Sequence, residues 1–483
     1  MIDLRPIAYL IGRMLIAVAI LMLAPAAVDW QAGLHNATDF LEAAVITGAI
    51  GAMLSITSHN ALGLSLDIRQ AYLLTAAIWT VLPLFGCLPF VLGEPHLSLT
   101  DAYFEAVSGI TTTGATVVTG LDGLPPGMNL WRGMLNWLGG LGIAFVAMIF
   151  LPVMRLGGMQ FFRTEGFDTF GKVLPRATDI AGQLVLVYAG LTLLCLMVYG
   201  MVGMTGMDAT VHAMATIATG GFSPRDASFS VYEGAGEYAG ALFMVLGSLP
   251  YIRYVQLVNG SATPLWRDRQ VRGYLRILAV AVGSVTLWRW LTSDTALEPI
   301  FRQSLFNLVS IQSSTGFFSG DFGSWGGFML PVAVLIGIFG ACTGSSAAGL
   351  GVFRVQIAFA ALRQHIRSVT MPDRTDPVRY EGRKVDDDVM NSVIMFITGY
   401  ILILGLFSVG VTLCGVDLES AFFGVWTTLG NIGYGFGPLV SDNAGTFIGY
   451  PDPAVWIMTL AMLLGRLGLL ALLVLALPRF WQR

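Results

Sequence analysis

Ser108-Gly-Ile-Thr-Thr-Thr-Gly-Ala-Thr116 closes a short apolar run, and the way it ends recurs three times along the chain. Ile217-Ala218-Thr219-Gly220, Ser313-Ser314-Thr315-Gly316 and Gly430-Asn431-Ile432-Gly433 close the other runs, with the four glycines 106, 96 and 117 residues apart. The runs lie near 101–113, 208–219, 299–315 and 419–432. At about 12–17 residues they fall short of the ~20 that a membrane-crossing helix needs, and they read as re-entrant segments or buried caps. Each carries an acid near its start, Asp101, Asp208, Glu298 or Glu419, which suits the positive end of a helix dipole or caps its free amides. The negative ends then point at the glycines. Four such ends around one axis would direct negative potential toward a cation at membrane depth. Glycine permits backbone angles that turn carbonyls inward, where they can replace a cation's water shell. One Thr/Ser-Gly ending by itself reads as a helix C-cap; four at a period near 100, each between two long apolar stretches, favour a lined cavity.

The rest of the chain supplies the lipid-facing frame. Of 483 residues, 12% are charged and 55% hydrophobic, and mean hydropathy is +0.72. A soluble protein this poor in charge could not cover its surface, so a soluble enzyme, a collagen, a disordered tail and a disulfide scaffold are excluded. A net charge of −4 gives no basic footprint for nucleic acid. Cys87, Cys195, Cys342 and Cys414 sit far apart in apolar runs and read as packing residues. Ten stretches have spanning length, near 7–27, 39–58, 70–92, 130–153, 181–203, 238–258, 274–292, 328–360, 390–414 and 454–477. The first, with Ala24-Pro25-Ala26, could pass for a cleavable signal, but the span that follows at once favours a retained anchor. Apart from Arg132, Arg225, Arg289, Arg302 and Arg466, the 26 Arg and Lys residues lie in or beside one set of connections and the two termini. By the positive-inside rule that side is cytoplasmic, both termini face it, and the short runs dip in from outside. The longest polar connection, about 361–389, is too short for a folded domain, so a sizeable regulatory domain must sit on another chain.

These residues resemble the Trk/Ktr/HKT superfamily of potassium transporters, most closely its TrkH-type subunits. The resemblance is carried by Ser108–Thr116, Ala218-Thr-Gly-Gly-Phe-Ser-Pro224, Ser314-Thr-Gly-Phe-Phe318 and Leu429-Gly-Asn-Ile-Gly-Tyr-Gly-Phe-Gly437. Trp131-Arg-Gly-Met-Leu-Asn-Trp-Leu-Gly-Gly-Leu-Gly-Ile143 and Leu464-Gly-Arg-Leu467 add to it. It implies an all-α polytopic membrane protein with two N-terminal transmembrane helices (1–69) and four helix–pore-loop–helix repeats around a pseudo-fourfold pore. The repeats span 70–158, 159–263, 264–375 and 376–483. It implies potassium uptake across the cytoplasmic (inner) membrane of a bacterium, with no enzymatic activity and no covalent cofactor. Gly114, Gly220, Gly316 and Gly433 become filter glycines, and K+ lies at Thr112, Thr113, Thr219, Thr315, Asn431 and Ile432 together with them. Gly114, which some plant relatives replace by Ser, points to potassium. The expected partners are a second copy of the chain and a cytoplasmic TrkA-type ring that binds ATP/ADP or NAD.

Gly337-Ile-Phe-Gly-Ala-Cys-Thr-Gly-Ser-Ser-Ala-Ala-Gly-Leu-Gly351 lies in an apolar stretch of about 33 residues, too long for one straight crossing. A helix broken by a loop fits the length, and packing through small residues is the plainer alternative. The resemblance makes this stretch an intramembrane gate, with Gly344, Ser345, Ser346 and Gly349 in the loop. The sequence departs from the family where a Lys often follows. Val352 and Arg354 stand there instead, and Arg354 is a partial substitute. Arg466 sits within an apolar span, where insertion costs roughly 2.5–3.5 kcal/mol, so it should face protein or water. The resemblance places it in the pore near the gate, with Gly468 where relatives often carry an acid.

Gly166-Phe-Asp-Thr-Phe-Gly171-Lys172 begins like a phosphate-binding loop, but Val173 replaces the required hydroxyl and the stretch reads as a cytoplasmic connection. His212 reads as a packing residue. A polytopic membrane enzyme would need paired acids, a Ser/Lys pair or closely spaced histidines inside its spans, and none occurs. A sodium- or proton-coupled symporter of the same fold is the rival within transport.

Overall fold

Proline at the start and alanine- and leucine-rich turns set the first helix, Arg5–Leu21, which continues past the single residue Met22 as Leu23–Gln31. The computed structural model describes residues 2–61, 67–145, 177–320, 322–371 and 377–482. Among them, six helices are long and apolar enough to cross a bilayer: Arg5–Gln31, Asn36–Thr57, Ile68–Leu92, Ala181–Met201, Arg269–Thr292 and Asp387–Leu413. Their outward residues, such as Ile56, Leu186 and Leu406, are exposed leucines and isoleucines, as lipid-facing positions require. The chain is a mostly helical, multi-pass membrane protein. The only described strands are Arg379–Tyr380 and Arg383–Lys384, a small antiparallel pair just ahead of helix Asp387–Leu413.

The four short apolar runs form helices Leu99–Ile110, Gly206–Ile217, Leu297–Gln312 and Leu418–Leu429. The expected acid lies in the first turn of each. The capping itself is done by other residues: Ser98, Thr205 and Asp417 accept amides of the first turns. Asp208 and Glu298 instead pair with Arg225 and Arg302.

Three stretches that read as spans are not single helices. The 238–258 stretch folds as Ala235–Gly247 and Tyr251–Val258, bent by 91° at Ser248-Leu249-Pro250. Pro250 has no amide to continue the first helix. The 454–477 stretch breaks at Gly468, whose φ of +78° no helix accommodates. The 328–360 stretch breaks as expected, into Met329–Phe339 and Val352–Thr370 with loop 340–351 between them. The 130–153 stretch is helical over Pro126–Phe145. Its remainder, the 158/159 and 375/376 repeat boundaries and Gly166–Lys172 lie outside the described residues.

The N-terminal helices are anchored to the repeats by a buried carboxylate. Asp29 accepts from the Gly127 amide at 2.6 Å and from the Asn36 side chain at 2.8 Å, while Asn36 accepts from the Glu94 amide. Close approach explains part of the glycine surplus. A Cβ on Gly139 would lie 2.0 Å from the Ile110 carbonyl oxygen, and one on Gly465 2.0 Å from that of Leu429. The second helices of the first and fourth repeats thus lie directly against the ends of their own short helices.

Candidate functional site

Each short helix ends in the same hydrogen-bonded turn. The amides of Thr112, Thr219, Ser314 and Asn431 donate three residues back, to Gly109, Thr216, Ile311 and Thr428, at 3.0–3.2 Å. The next amides, of Thr113, Gly220, Thr315 and Ile432, donate five residues back, to Ser108, Ala215, Ser310 and Thr427, at 2.7–2.9 Å. This is the Schellman arrangement, whose first outer residue must be left-handed. That residue is Thr112, Thr219, Ser314 or Asn431, at φ of +52°, +50°, +54° and +49°. Glycine usually fills the position, so β-branched Thr112 and Thr219 store of order 1–3 kcal/mol each in backbone strain. The endings are helix caps and something more, because the four caps converge.

They converge as a closed ring. A Cβ on Gly114 would lie 2.4 Å from the Gly220 carbonyl oxygen, and one on Gly221 1.9 Å from that of Thr315. One on Gly316 would lie 2.0 Å from that of Ile432, and one on Gly433 2.1 Å from that of Thr113. Repeats 1, 2, 3 and 4 therefore touch in cyclic order. All four glycines have φ between +75° and +88°. This corrects the register read from sequence: the equivalent of Gly114, Gly316 and Gly433 is Gly221, and Gly220 is equivalent to Thr113, Thr315 and Ile432. The reason is tertiary. A side chain on Gly220 would fall 2.4–2.8 Å from the Asn136 amide group, which occupies the space that Thr or Ile fills in the other repeats.

The carbonyl oxygens of Thr113, Gly220, Thr315 and Ile432 are the ring's chemistry. All four residues are buried, and among the described residues none of these oxygens accepts a hydrogen bond. Buried carbonyls are almost always paired, so four unpaired ones at the negative ends of four helices are free to ligate a cation. The Thr113 and Thr315 hydroxyls turn away from this role, bonding Thr111 and Ser313 at 2.7 Å. The Asn431 side chain donates to Thr113 Oγ1 at 2.9 Å and ties the fourth repeat to the first. Among the described residues no cluster of His, Cys, Asp or Glu could hold a metal ion. The four cysteines are free thiols, as their spacing implied.

Above the ring a cavity of about 700 Å³ is lined by Gly114, Gly221, Gly316 and Gly433 together with Arg132, Arg225, Asp226 and Glu419. Arg132 is buried against Glu105 at 2.9 Å, donates to the Ser223 carbonyl at 2.8 Å and lies 4.2 Å from the Phe222 ring centre. It fastens the chain leaving the second ring segment to the first repeat. Arg225 bridges Asp122 and Asp208, and its guanidinium holds the Asp122 carboxyl below the usual carboxylate range. The charged residues that line the cavity, Arg132, Arg225, Asp226 and Glu419, balance two against two, and both arginines are paired with carboxylates behind the lining. His212 bonds the Asp208 carbonyl through Nδ1 and Ser223 Oγ through Nε2, a packing and tethering role as expected.

Below the ring, loop 340–351 joins Met329–Phe339 to Val352–Thr370 in the third repeat. Arg466 donates to the Ser346 carbonyl, so the expected neighbourhood of Arg466 and the loop is present. Ser345 Oγ bonds the Cys342 carbonyl and the Ala347 amide, folding the loop on itself. Gly344 and Gly349, at φ of +85° and +83°, supply its turns. The Ala348 amide donates to Ser314 Oγ at 2.7 Å, a direct bond from loop to ring. Arg354 donates to the Leu350 carbonyl at 2.6 Å and stacks 4.1 Å from Phe396, at the loop's exit. Sequence reasoning missed the Glu105–Arg132 pair, Asn136 and Tyr251. Two lone charges in apolar runs were a usable signal for the first; nothing local marks the others.

The TrkH family model, described as a cation transport protein, matches residues 36–483. The chain is 38% identical over 421 residues to the Trk system potassium uptake protein TrkI of Halomonas elongata, covering 87% of this chain and 85% of that one. It is 34% identical over 488 residues to the Trk system potassium uptake protein TrkH of Escherichia coli K12, covering 99% of each. The crystal structure of the potassium transporter TrkH from Vibrio parahaemolyticus superposes with a TM-score of 0.91 at 30% identity, over 100% of both chains.

Proposed function

The chain belongs to the TrkH family of cation transport proteins, and from that premise we propose that it carries potassium into the cell through a gated, channel-like pore. The observation that carries this reading is the set of four buried, unpaired carbonyl oxygens of Thr113, Gly220, Thr315 and Ile432 at converging helix ends. Potassium enters from the cavity above the ring, exchanges its water for ring oxygens along 112–114, 219–221, 314–316 and 431–433, and passes inward. The membrane potential drives it. Loop 340–351, with Gly344, Ser345, Ser346 and Gly349, obstructs the path beneath the ring, and Arg466 holds it there. Two copies of the chain associate, each with its own pore. Both termini face the cytoplasm, where a separate nucleotide-binding ring of the TrkA type controls the gate. Expression in a bacterium stripped of its potassium uptake systems tests the reading. Growth at low potassium is expected with the intact chain, and its absence with protein present in the membrane counts against it.

A further inference from the structure

Helix breaks in three different repeats meet beneath the ring: Ser248-Leu249-Pro250 in the second, loop 340–351 in the third and Gly468, beside Arg466, in the fourth. Tyr251 is the first residue after the first break. Its backbone amide donates to the Gly344 carbonyl at 3.0 Å. Its hydroxyl lies 2.7 Å from Ser346 Oγ and 3.1 Å from the Ile217 carbonyl oxygen. The phenol has one proton, and the carbonyl can only accept, so Tyr251 donates to Ile217 and accepts from Ser346. Ile217 ends the second short helix, directly before the ring segment Ala218-Thr219-Gly220. The ring of Tyr251 is fixed from its sides by Tyr188 and Tyr254, with centroids at 5.8 and 6.3 Å.

Ser346 is therefore gripped twice, through its carbonyl by Arg466 and through its hydroxyl by Tyr251. We propose that Tyr251 is the latch of loop 340–351, a positioning residue that holds the loop closed by pinning Ser346 to the end of the second short helix. The proposal rests on the reading of that loop as the gate. Arg466 differs in kind. It brings a positive charge beneath a cation site, so its removal changes both the electrostatics and the hold on the loop. Tyr251 is neutral, so removing its hydroxyl releases the loop and the Ile217 carbonyl without changing the charge beneath the ring. The remaining ties run through backbone amides of the loop, from Cys342 to the Ser248 carbonyl, Thr343 to Gln270 and Ala348 to Ser314. Among the described side chains of the loop, Ser346 alone bonds a side chain of another repeat.

Tyr251→Phe removes the hydroxyl and keeps the ring packing. Cys342, buried within the loop, is a native reporter of opening, and Cys87 and Cys195, buried elsewhere, are controls in the same peptide map. In purified full-length protein in liposomes, Tyr251→Phe should speed thiol labelling of Cys342 and rubidium-86 uptake by about two- to tenfold, the range one hydrogen bond spans. The ratio of potassium to sodium competition should stay the same. Ser346→Ala should act in the same direction, and the double variant should add nothing to Tyr251→Phe, because the Tyr251–Ser346 bond is lost in both. Unchanged Cys342 labelling in Tyr251→Phe, or additive single effects, would overturn the latch. Faster labelling with no rubidium uptake in any variant would uphold the latch and contradict the pore reading.

Discussion

A Cβ placed on Gly433 would lie 2.1 Å from the carbonyl oxygen of Thr113, the contact that joins the last ring segment to the first. The obstacle is backbone, which cannot rotate aside. Gly433 also sits at φ +88°, a conformation costly for any side chain. Gly433→Ala should therefore cost at least tenfold in rubidium-86 flux while the protein still inserts. Gly114→Ser, whose Cβ would meet the Gly220 oxygen at 2.4 Å, should weaken discrimination against sodium. Retained flux in the first and unchanged selectivity in the second would remove the ring from the ion path.

The register of the second segment has its own test. Gly220→Ala collides with the Asn136 side chain, whereas Gly221→Ala collides with the Thr315 backbone oxygen. Asn136→Gly should recover a large part of the flux lost in Gly220→Ala and none of that lost in Gly221→Ala. Equal rescue of both, measured by the same uptake assay, would show that the two glycines are interchangeable.

Glu105 and Arg132 are both buried, and the pair binds the first repeat to the second. Removing one partner strands the other charge, which costs about 3–5 kcal/mol in comparable buried pairs. Thermal unfolding of the detergent-solubilised protein should show Glu105→Ala clearly destabilised, with Glu105→Ala/Arg132→Met recovering part of the loss. A double variant no better than the single would assign the cost to packing instead.

Arg466 places a positive charge beneath the ring and holds the Ser346 carbonyl. Both effects oppose permeation, so Arg466→Ala should raise resting flux, by roughly tenfold for a lost charge-assisted hydrogen bond. Arg466→Lys keeps the charge with a single point donor and should fall between them. Flux unchanged in both would make Arg466 a structural residue.

The four helix endings are legible in the sequence because each is a local Schellman turn, and the hydroxyl- and glycine-rich residues such a turn needs are contiguous at 111–114, 313–316 and the other two. The one-residue shift at Ala218-Thr219-Gly220-Gly221 is not legible. Two adjacent glycines satisfy the local rule equally, and only Asn136, from a different helix, separates them. The break at loop 340–351 announces itself through its glycines. Those at Pro250 and Gly468 were hidden by apolar stretches of plausible spanning length, though Pro250 itself was a signal. Tyr251 could not be found from sequence, since its partners, Ile217 and Ser346, lie in two other elements.

Rubidium-86 uptake into liposomes holding the purified protein tests most directly whether the four unpaired carbonyls form a potassium-selective path. With the interior made negative, uptake should saturate, and external potassium should suppress it at far lower concentration than sodium does. Equal suppression by the two ions, or no uptake from the intact chain with or without a cytoplasmic regulatory ring, would contradict it.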